Sequence, residues 1–184
     1  FKETLDYLNF IKEQYEYKGI SVIDKNGRVR VTTELNLTGK DVSNFDYFKN
    51  AVGGETFVTR IRASDVPVEN ELGQMELGLP TMFVFTPIKD KDKNSIGVVI
   101  LRVDVIQISN MMQSIKIGET GETYLINEDA YMVSESKFSD NLKKDGLINK
   151  RSALELKLIN QQTDDLTMAA KECLKGSRGH NGFG

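Results

Sequence analysis

Two stretches of β-branched sequence, each broken by a short polar turn, constrain this chain more than any other feature. Residues 20–33 flank Asn26-Gly27, a dipeptide that accepts positive φ at both central positions of a two-residue hairpin turn. Residues 81–104 flank the polar turn 90–94 in the same way. Both stretches therefore predict hairpins, whose strands pair antiparallel.

Helical spacing surrounds these hairpins. Leu5, Leu8 and Ile11 recur at steps of three, which predicts an amphipathic helix over residues 1–18 with Gly19 as its C-cap residue. The same stripe fits a short heptad seam, so packing on a sheet and pairing with a second copy both stay open for its first turns. A second amphipathic stretch predicts a helix over residues 106–115.

Between the hairpins, the sequence predicts a helix over 46–52, with Ser43 or Asn44 as its N-cap residue. Residues 56–63 alternate, so we expect one strand that carries Arg60 and Arg62 on the same face. Residues 64–79 are predicted as a polar loop. Together these elements predict an antiparallel sheet of about five strands with helices packed on it, an α+β arrangement.

The pattern restarts after Lys116. It predicts a hairpin over 123–134, a loop over 136–146, and helices over 152–159 and 165–174, the last capped by Asp164 or Asp165. Returning strands are missing from this second half, so we expect a module whose remaining strands lie beyond Gly184. A start at Phe1 rather than Met likewise indicates a piece of a longer protein.

Composition and motifs argue against several classes of function. With 24 Lys+Arg against 27 Asp+Glu, the net charge of −3 excludes a nucleic-acid binder that works through phosphate neutralisation. A single cysteine, Cys173, and a single histidine, His180, offer neither a zinc motif nor a nucleophile with its base. Asp90 opens a stretch like a calcium loop, but Ser95 stands where that loop needs glycine. We therefore expect no enzyme, metal or cofactor.

One group of side chains is typical of a small-molecule pocket, in which aromatic residues and a few charged groups converge over a sheet. The arginines in this group suit a carboxylate, and the aspartate suits an ammonium or a hydroxyl group. In the alternative interpretation, the aromatic residues form core and the arginines lie on a wet face. The predicted ligand-binding residues are Tyr47, Phe48, Arg60, Arg62, Phe83, Phe85 and Asp104.

Three segments resemble the double Cache family of PAS-like extracytoplasmic sensor domains. Residues 41–54 (DVSNFDYFKNAVGG) resemble its D-[IL]-S-x-R-D-Y-F stretch, and residues 80–105 resemble its P-v…G-v…D-i strands. Residues 118–138 are similar to the opening hairpin of its second module. The order and spacing of the segments cover nearly the whole chain.

The resemblance implies a long N-terminal helix (1–19), a membrane-distal module (20–115) that holds the ligand, and a truncated membrane-proximal module (116–184). It implies flanking transmembrane helices outside this chain. The heptad-like spacing of the N-terminal helix, rather than the resemblance, allows a homodimer through that helix. Amino-acid-binding members carry an arginine at the position of Phe45, so the resemblance argues against an α-amino acid ligand. A small carboxylate held by Arg60 or Arg62, or an amine held by Asp104, fits better.

We therefore expect a non-enzymatic, extracytoplasmic sensor domain that feeds a histidine kinase across the cell membrane. The alternatives are the sensor domain of a chemoreceptor or a diguanylate cyclase, and a protein-interaction module with no small ligand. Signalling by any of these sensors requires that the ligand bind two conformations with different affinity.

Overall fold

The structure is a computed structural model that describes residues 2–34, 37–65, 67–70, 72–115, 117–118 and 121–176. His180 and part of the segment 118–138, both discussed above, lie outside these ranges. The elements of the described residues, in chain order, are α1 (Lys2–Gln14), β1 (Gly19–Asp24), β2 (Val29–Thr32), α2 (Asp46–Val52), β3 (Phe57–Val58), β4 (Arg62–Ala63), β5 (Val68–Glu69), β6 (Met75–Glu76), β7 (Pro80–Lys89), β8 (Ser95–Val103), α3 (Val105–Ser114), α4 (Ser139–Lys144) and α5 (Met168–Leu174).

The described residues form two compact units. The first unit comprises 1–61 with 81–104, and the second comprises 62–80 with 105–184. In the first unit, five strands form one antiparallel sheet in the order β2-β1-β8-β7-β3. The predicted antiparallel α+β architecture is thus confirmed, whereas the predicted module boundaries at residues 19 and 115 stay a prediction.

Helix α1 ends earlier than the sequence predicts. Glu16 adopts the left-handed conformation with φ 55°, and the Tyr17 amide donates to the Lys12 carbonyl at 2.9 Å. This closing bond satisfies a carbonyl of the last turn, so the helix stops at Gln14. Gly19 is therefore not the C-cap residue; it is the first residue of β1.

Helix α2 has the predicted bounds and contributes Phe48 and Ala51 to the core of the first unit. Its N-cap residue is Phe45, without a side-chain hydrogen bond, so the prediction of Ser43 or Asn44 as the cap was wrong. Phe48 packs into the buried cluster because the apolar side of this short helix faces the sheet. The cluster consists of Ile23, Val29, Phe48, Ala51, Phe85 and Val98.

The single strand predicted over 56–63 is wrong. Strand β3 pairs with β7 through Phe57↔Phe85 and Val58↔Val84. At Thr59 the side-chain hydroxyl accepts the Phe83 amide at 2.9 Å, in place of a backbone carbonyl. Regular pairing ends there, and Arg60 lies between β3 and β4 rather than within a strand.

Several predictions for the second unit also need correction. Strands β5 and β6 form an antiparallel hairpin inside the predicted loop, and α4 lies in the predicted loop 136–146. Residues 152–159 are not helical, because their backbone bonds with 130–132 instead: the Met132 amide donates to the Leu156 carbonyl at 2.9 Å. Helix α5 begins after Thr167, whose hydroxyl accepts the Ala170 amide, rather than at Asp164 or Asp165.

The second predicted hairpin is looser than expected. Among the described residues of 123–134, the pairing is one isolated bridge, Ile126↔Met132. The Asn127 carboxamide accepts the amides of Asp129 and Tyr131, which closes the turn in place of a longer ladder. Helix α3 lies within one residue of its predicted bounds.

Candidate functional site

Strand alternation aligns one set of side chains on the face of the first unit's sheet that α2 covers, called here the α2 face. Arg102 pairs with both Gly19 and Phe83, and Ile100 pairs with both Ser21 and Phe85. Directly paired residues on antiparallel strands point to the same side, so these side chains share the α2 face. Thr81, two residues before Phe83 in β7, shares it by alternation.

Four predicted aromatic residues come together on the α2 face. The Phe85 ring lies 4.4 Å from the Tyr47 ring and 6.2 Å from the Phe83 ring, measured between centroids. Phe48 and Phe85 are buried in the core, as the alternative interpretation held. Tyr47 and Phe83 are half-buried at its edge, so they retain surface that a ligand can contact.

The polar end of the α2 face is built around a buried ion pair that the sequence did not predict. An Arg102 terminal nitrogen (Nη2) lies 2.7 Å from Glu34 Oε1, and Arg102 is only 4% exposed. The Arg102 guanidinium lies over the Phe83 ring, 5.2 Å from its centroid. Beside the pair, the hydroxyls of Ser21 and Thr32 are hydrogen-bonded at 2.8 Å. The aromatic and polar ends therefore meet at Phe83.

Two buried polar atoms on this face have no hydrogen-bond partner among the described residues. They are Arg102 Nε and Thr81 Oγ1, and Thr81 is 2% exposed. Buried polar groups in folded proteins are nearly always satisfied, so an unmatched donor calls for an explanation. Both atoms lie on strand positions next to Phe83, which places unsatisfied polar groups beside the aromatic edge.

Burial disfavours both charges of the ion pair. It raises the pKa of Glu34, although the attraction of Arg102 and Lys12 opposes that shift. It lowers the pKa of the Arg102 guanidinium, against the attraction of Glu34. Lost hydration therefore outweighs the mutual attraction, as is common for buried pairs with incomplete hydrogen bonding.

Of the charged residues predicted for the site, the two arginines are exposed, whereas the aspartate is half-buried and paired with a lysine. Arg60 and Arg62 are exposed, and Arg62 pairs with Asp65 at 3.1 Å. The Asp104 carboxylate lies 3.2 Å from Lys18 Nζ. The alternation of β3 places Val58 with Val84, on the face opposite Phe83 and Phe85, so a continuing strand would carry Arg60 away from the aromatic residues. Their role in ligand binding stays a prediction.

A groove of about 400 Å³ lies between α1 and the edge strand β2. It reaches Thr32, whose hydroxyl also accepts the Glu34 amide at 3.1 Å. It thus adjoins the polar end of the α2 face. The groove is lined by Lys2, Leu5, Arg30, Val31, Thr32 and Thr38.

One signal in the sequence could have identified Arg102. In the run 97–103 (GVVILRV) it is the single charged residue, and it falls at the same parity as Val98 and Ile100. A charge at a core parity of a strand needs a buried partner. That partner, Glu34, comes just after the first hairpin, and only the sheet pairing brings it near.

The family model dCache_1, described as a Cache domain, matches residues 2–181. No curated protein matches this chain. The Cache match spans both compact units, so it covers the α2 face and the second unit alike.

The chain is similar to solved structures of sensor domains, and among the three that follow, the one with a TM-score above 0.5 shares the fold. The ligand-binding domain of the Campylobacter jejuni chemoreceptor Tlp3, in complex with L-norvaline, has 17% identity and a TM-score of 0.53 over 75% of this chain and 50% of its own. The Vibrio cholerae histidine kinase DctB sensor domain has 18% identity and a TM-score of 0.46, over 59% and 39%. The Escherichia coli DcuS sensor domain has 20% and 0.44, over 58% and 70%. The chain thus spans half of the Tlp3 domain and less of the DctB domain.

These findings agree with the sequence resemblance. Cache sensor domains are ligand-binding modules rather than catalytic ones, and they form the extracytoplasmic sensor regions of membrane receptors. Within the described ranges, every helix is too short or too polar to cross a bilayer. The chain belongs to the double Cache family of extracytoplasmic sensor domains.

Proposed function

We propose that this domain binds a small molecule on the α2 face and reports its presence to a histidine kinase across the membrane. The observation that carries the proposal is the combination of half-buried Tyr47 and Phe83 with the unsatisfied Arg102 Nε and Thr81 Oγ1. An apolar wall with a few convergent polar groups is the usual composition of a ligand site. The ligand is a small carboxylate or an amine.

A chemoreceptor output is the second candidate. The similarity of the Tlp3 sensory domain, at a TM-score of 0.53, supports a fold that serves chemoreceptors as well. Because a fold does not by itself decide function, this sensor domain is compatible with either output. The sequence that follows this domain distinguishes them, because a kinase and a chemoreceptor have different cytoplasmic parts.

A homodimer through α1 is part of the proposal. Tyr7 and Phe10, one turn apart on α1, are 63% and 56% exposed. Leu5, Leu8 and Ile11 are half-buried, so the exposed aromatic pair lies apart from them on the helix. Sedimentation of the domain against its Tyr7→Ser/Phe10→Ser variant tests this; an unchanged monomer in both contradicts it.

Calorimetric titration with a panel of small carboxylates, amines and α-amino acids tests ligand binding. We expect at least one compound to bind and to raise the melting temperature, since a ligand that prefers the folded state stabilises it. Phe83→Leu should weaken its binding by about 1 kcal/mol, the contribution of an aromatic contact. Phe138→Leu, in the second unit, is the matched control and should bind normally.

The same titration tests the arginines that the sequence indicated. If Arg60 or Arg62 contacts an anionic ligand, its replacement by alanine should weaken binding by about 1.5–3 kcal/mol, the range for a charged hydrogen bond. If no compound binds the wild-type domain, a protein-interaction module without a small ligand becomes the better interpretation.

A further inference from the structure

We propose that Arg102 binds the carboxylate of an anionic ligand, and that Glu34 occupies the place of that carboxylate until the ligand displaces it. The inference rests on the proposed function, because it names the ligand class and the competitor within the same site. Of the two ligand classes proposed above, it favours the carboxylate over the amine. The reason is that the charged group with an unsatisfied hydrogen-bond donor on the α2 face is the Arg102 guanidinium.

The Arg102 guanidinium is bound to Glu34 through only part of its set of hydrogen-bond donors. Its contact with Glu34 runs from Nη2 to Oε1 at 2.7 Å, while its Nε has no partner among the described residues. Arginine binds carboxylates most strongly through two parallel N–H bonds. The guanidinium carbon lies over the Phe83 ring, 5.2 Å from its centroid, in a cation–π contact. A carboxylate that engages both Nε and a terminal nitrogen would use the guanidinium fully.

Gly19 provides the room in which the Glu34 carboxylate rests. A Cβ atom at position 19 would lie 2.3 Å from both Cδ and Oε2 of Glu34. The backbone of Glu34 is held, because its amide donates to Thr32 Oγ1. Its side chain is flexible beyond Cβ, so the carboxylate can swing away while the chain stays in place. Glycine at this position therefore permits the resting contact.

Thr81 supplies a second group for the same anion. Its hydroxyl is buried on the α2 face, on the strand that carries Phe83, and no described residue satisfies it. A hydroxyl donates to a carboxylate oxygen without adding charge. Arg102, directly opposite Phe83 on β8, and Thr81, two residues before Phe83 on β7, thus offer one charged and one neutral donor beside the same ring.

The experiment uses acetate, the smallest stable carboxylate, and acetamide, its neutral isostere. Proton–nitrogen NMR spectra of the arginine Nε–H groups report binding directly, and the Arg102 signal is identified by its loss in Arg102→Lys. The domain is compared with Glu34→Gln, which removes the competing charge, and Gly19→Ala, which displaces the carboxylate and keeps every charge. Glu13→Gln, at an exposed acid on α1, controls for the loss of one negative charge.

We expect acetate, and not acetamide, to shift the Arg102 signal. Its affinity should rise about tenfold in Glu34→Gln and in Gly19→Ala, the change that one hydrogen bond to a charged group produces. Glu13→Gln should match the wild type. If Glu34→Gln loses its fold in a melting scan, Gly19→Ala decides the matter.

Two results would overturn the inference. One is an Arg102 signal that ignores acetate in every variant; the other is an acetate affinity equal in the wild type and both variants. If an amine or amino acid from the panel still binds the α2 face in either case, the proposed function stands without this inference. If nothing in the panel binds, the proposed function itself fails.

Discussion

The two compact units differ in how completely their buried polar groups are hydrogen-bonded. In the second unit, the buried Ser152 hydroxyl donates to the Glu135 carboxylate at 2.8 Å and accepts the Ser136 amide. The Ser136 hydroxyl donates to Glu122, and the Ser109 hydroxyl accepts the Glu135 amide at 2.9 Å. Thr123 Oγ1 is the exception in the described part of that unit. Its polar groups mostly bond to one another.

The first unit instead leaves its buried cation incompletely bonded. Arg102 Nε and Thr81 Oγ1 lie beside an aromatic edge, and the carboxylate that pairs with Arg102, that of Glu34, packs against a glycine. A satisfied network fixes the conformation of loops, whereas an unsatisfied one favours whatever molecule completes it. This difference supports our proposal that the ligand binds in the first unit.

The largest loss of stability should follow from a cavity in the core beneath α2. Phe85→Ala removes a ring that is 3% exposed and contacts Tyr47, so we expect a loss of about 3–5 kcal/mol in the free energy of unfolding. Phe57→Ala, on the same face but 37% exposed, should cost much less. Chemical denaturation measures both; equal losses would mean that Phe85 is not a core residue.

Removing the Glu135 carboxylate, the acceptor at the centre of the second unit's hydrogen-bond network, should have the next largest effect on stability. Glu135→Ala leaves the Ser152 amide and hydroxyl without their acceptor, and we expect a loss of about 2–3 kcal/mol. Asp129→Ala, at an exposed turn, should change stability by less than about 0.5 kcal/mol. A Glu135 variant as stable as the Asp129 variant would contradict the contrast between the units.

A smaller effect concerns pH. Because burial raises the pKa of Glu34, the folded state holds more protons than the unfolded state between the ordinary and the raised value. The contribution of Glu34 to stability is therefore complete below its ordinary pKa and is lost as pH rises through the raised one. Arg102 and Lys12 are the charged groups that act on it.

The measurement is the difference in unfolding free energy between the wild type and Glu34→Gln across the acidic range, because other carboxylates cancel in it. We expect the wild type to lose stability relative to the variant as pH rises. A difference that is flat, or that changes in the opposite direction, would show that Glu34 is not held in a buried position.

The smallest effect should come from Arg62→Ala. Its ion pair with Asp65 is exposed, and such pairs contribute about 0–1 kcal/mol, so stability should change by at most about 1 kcal/mol. Thermal unfolding checks this, with Lys143→Ala as the comparison, because Lys143 also forms an exposed ion pair in the same unit. A loss above 1.5 kcal/mol would mean that Arg62 has a buried role.

Local signals predicted much of the first unit. The Asn26-Gly27 turn and the polar turn at 90–94 gave correct hairpins, since the Asp90 carboxylate accepts the amides of Asp92 and Asn94 within its own turn. Helix α2 has its predicted bounds. Each of these features depends on neighbours in the sequence, which is why pattern and turn chemistry predict it.

Long-range partners decided the rest. Residues 152–159 have a helical pattern, yet their amides and carbonyls bond with 130–132, because backbone pairing with a distant segment overrides local propensity. The charged centre of the candidate site was also missed, since Glu34 and Arg102 are 68 positions apart and meet only through the pairing of β1 with β8.

The sequence by itself determined the antiparallel α+β class, the aromatic residues of the α2 face and membership of the double Cache family. The tertiary structure alone decided that Arg102, rather than Arg60 or Arg62, is the buried cation on that face. It also decided that Gly19 makes room for a carboxylate instead of ending a helix. The physical reason is that burial and electrostatic partners depend on which strands lie side by side, and strand order is set by contacts between distant parts of the chain.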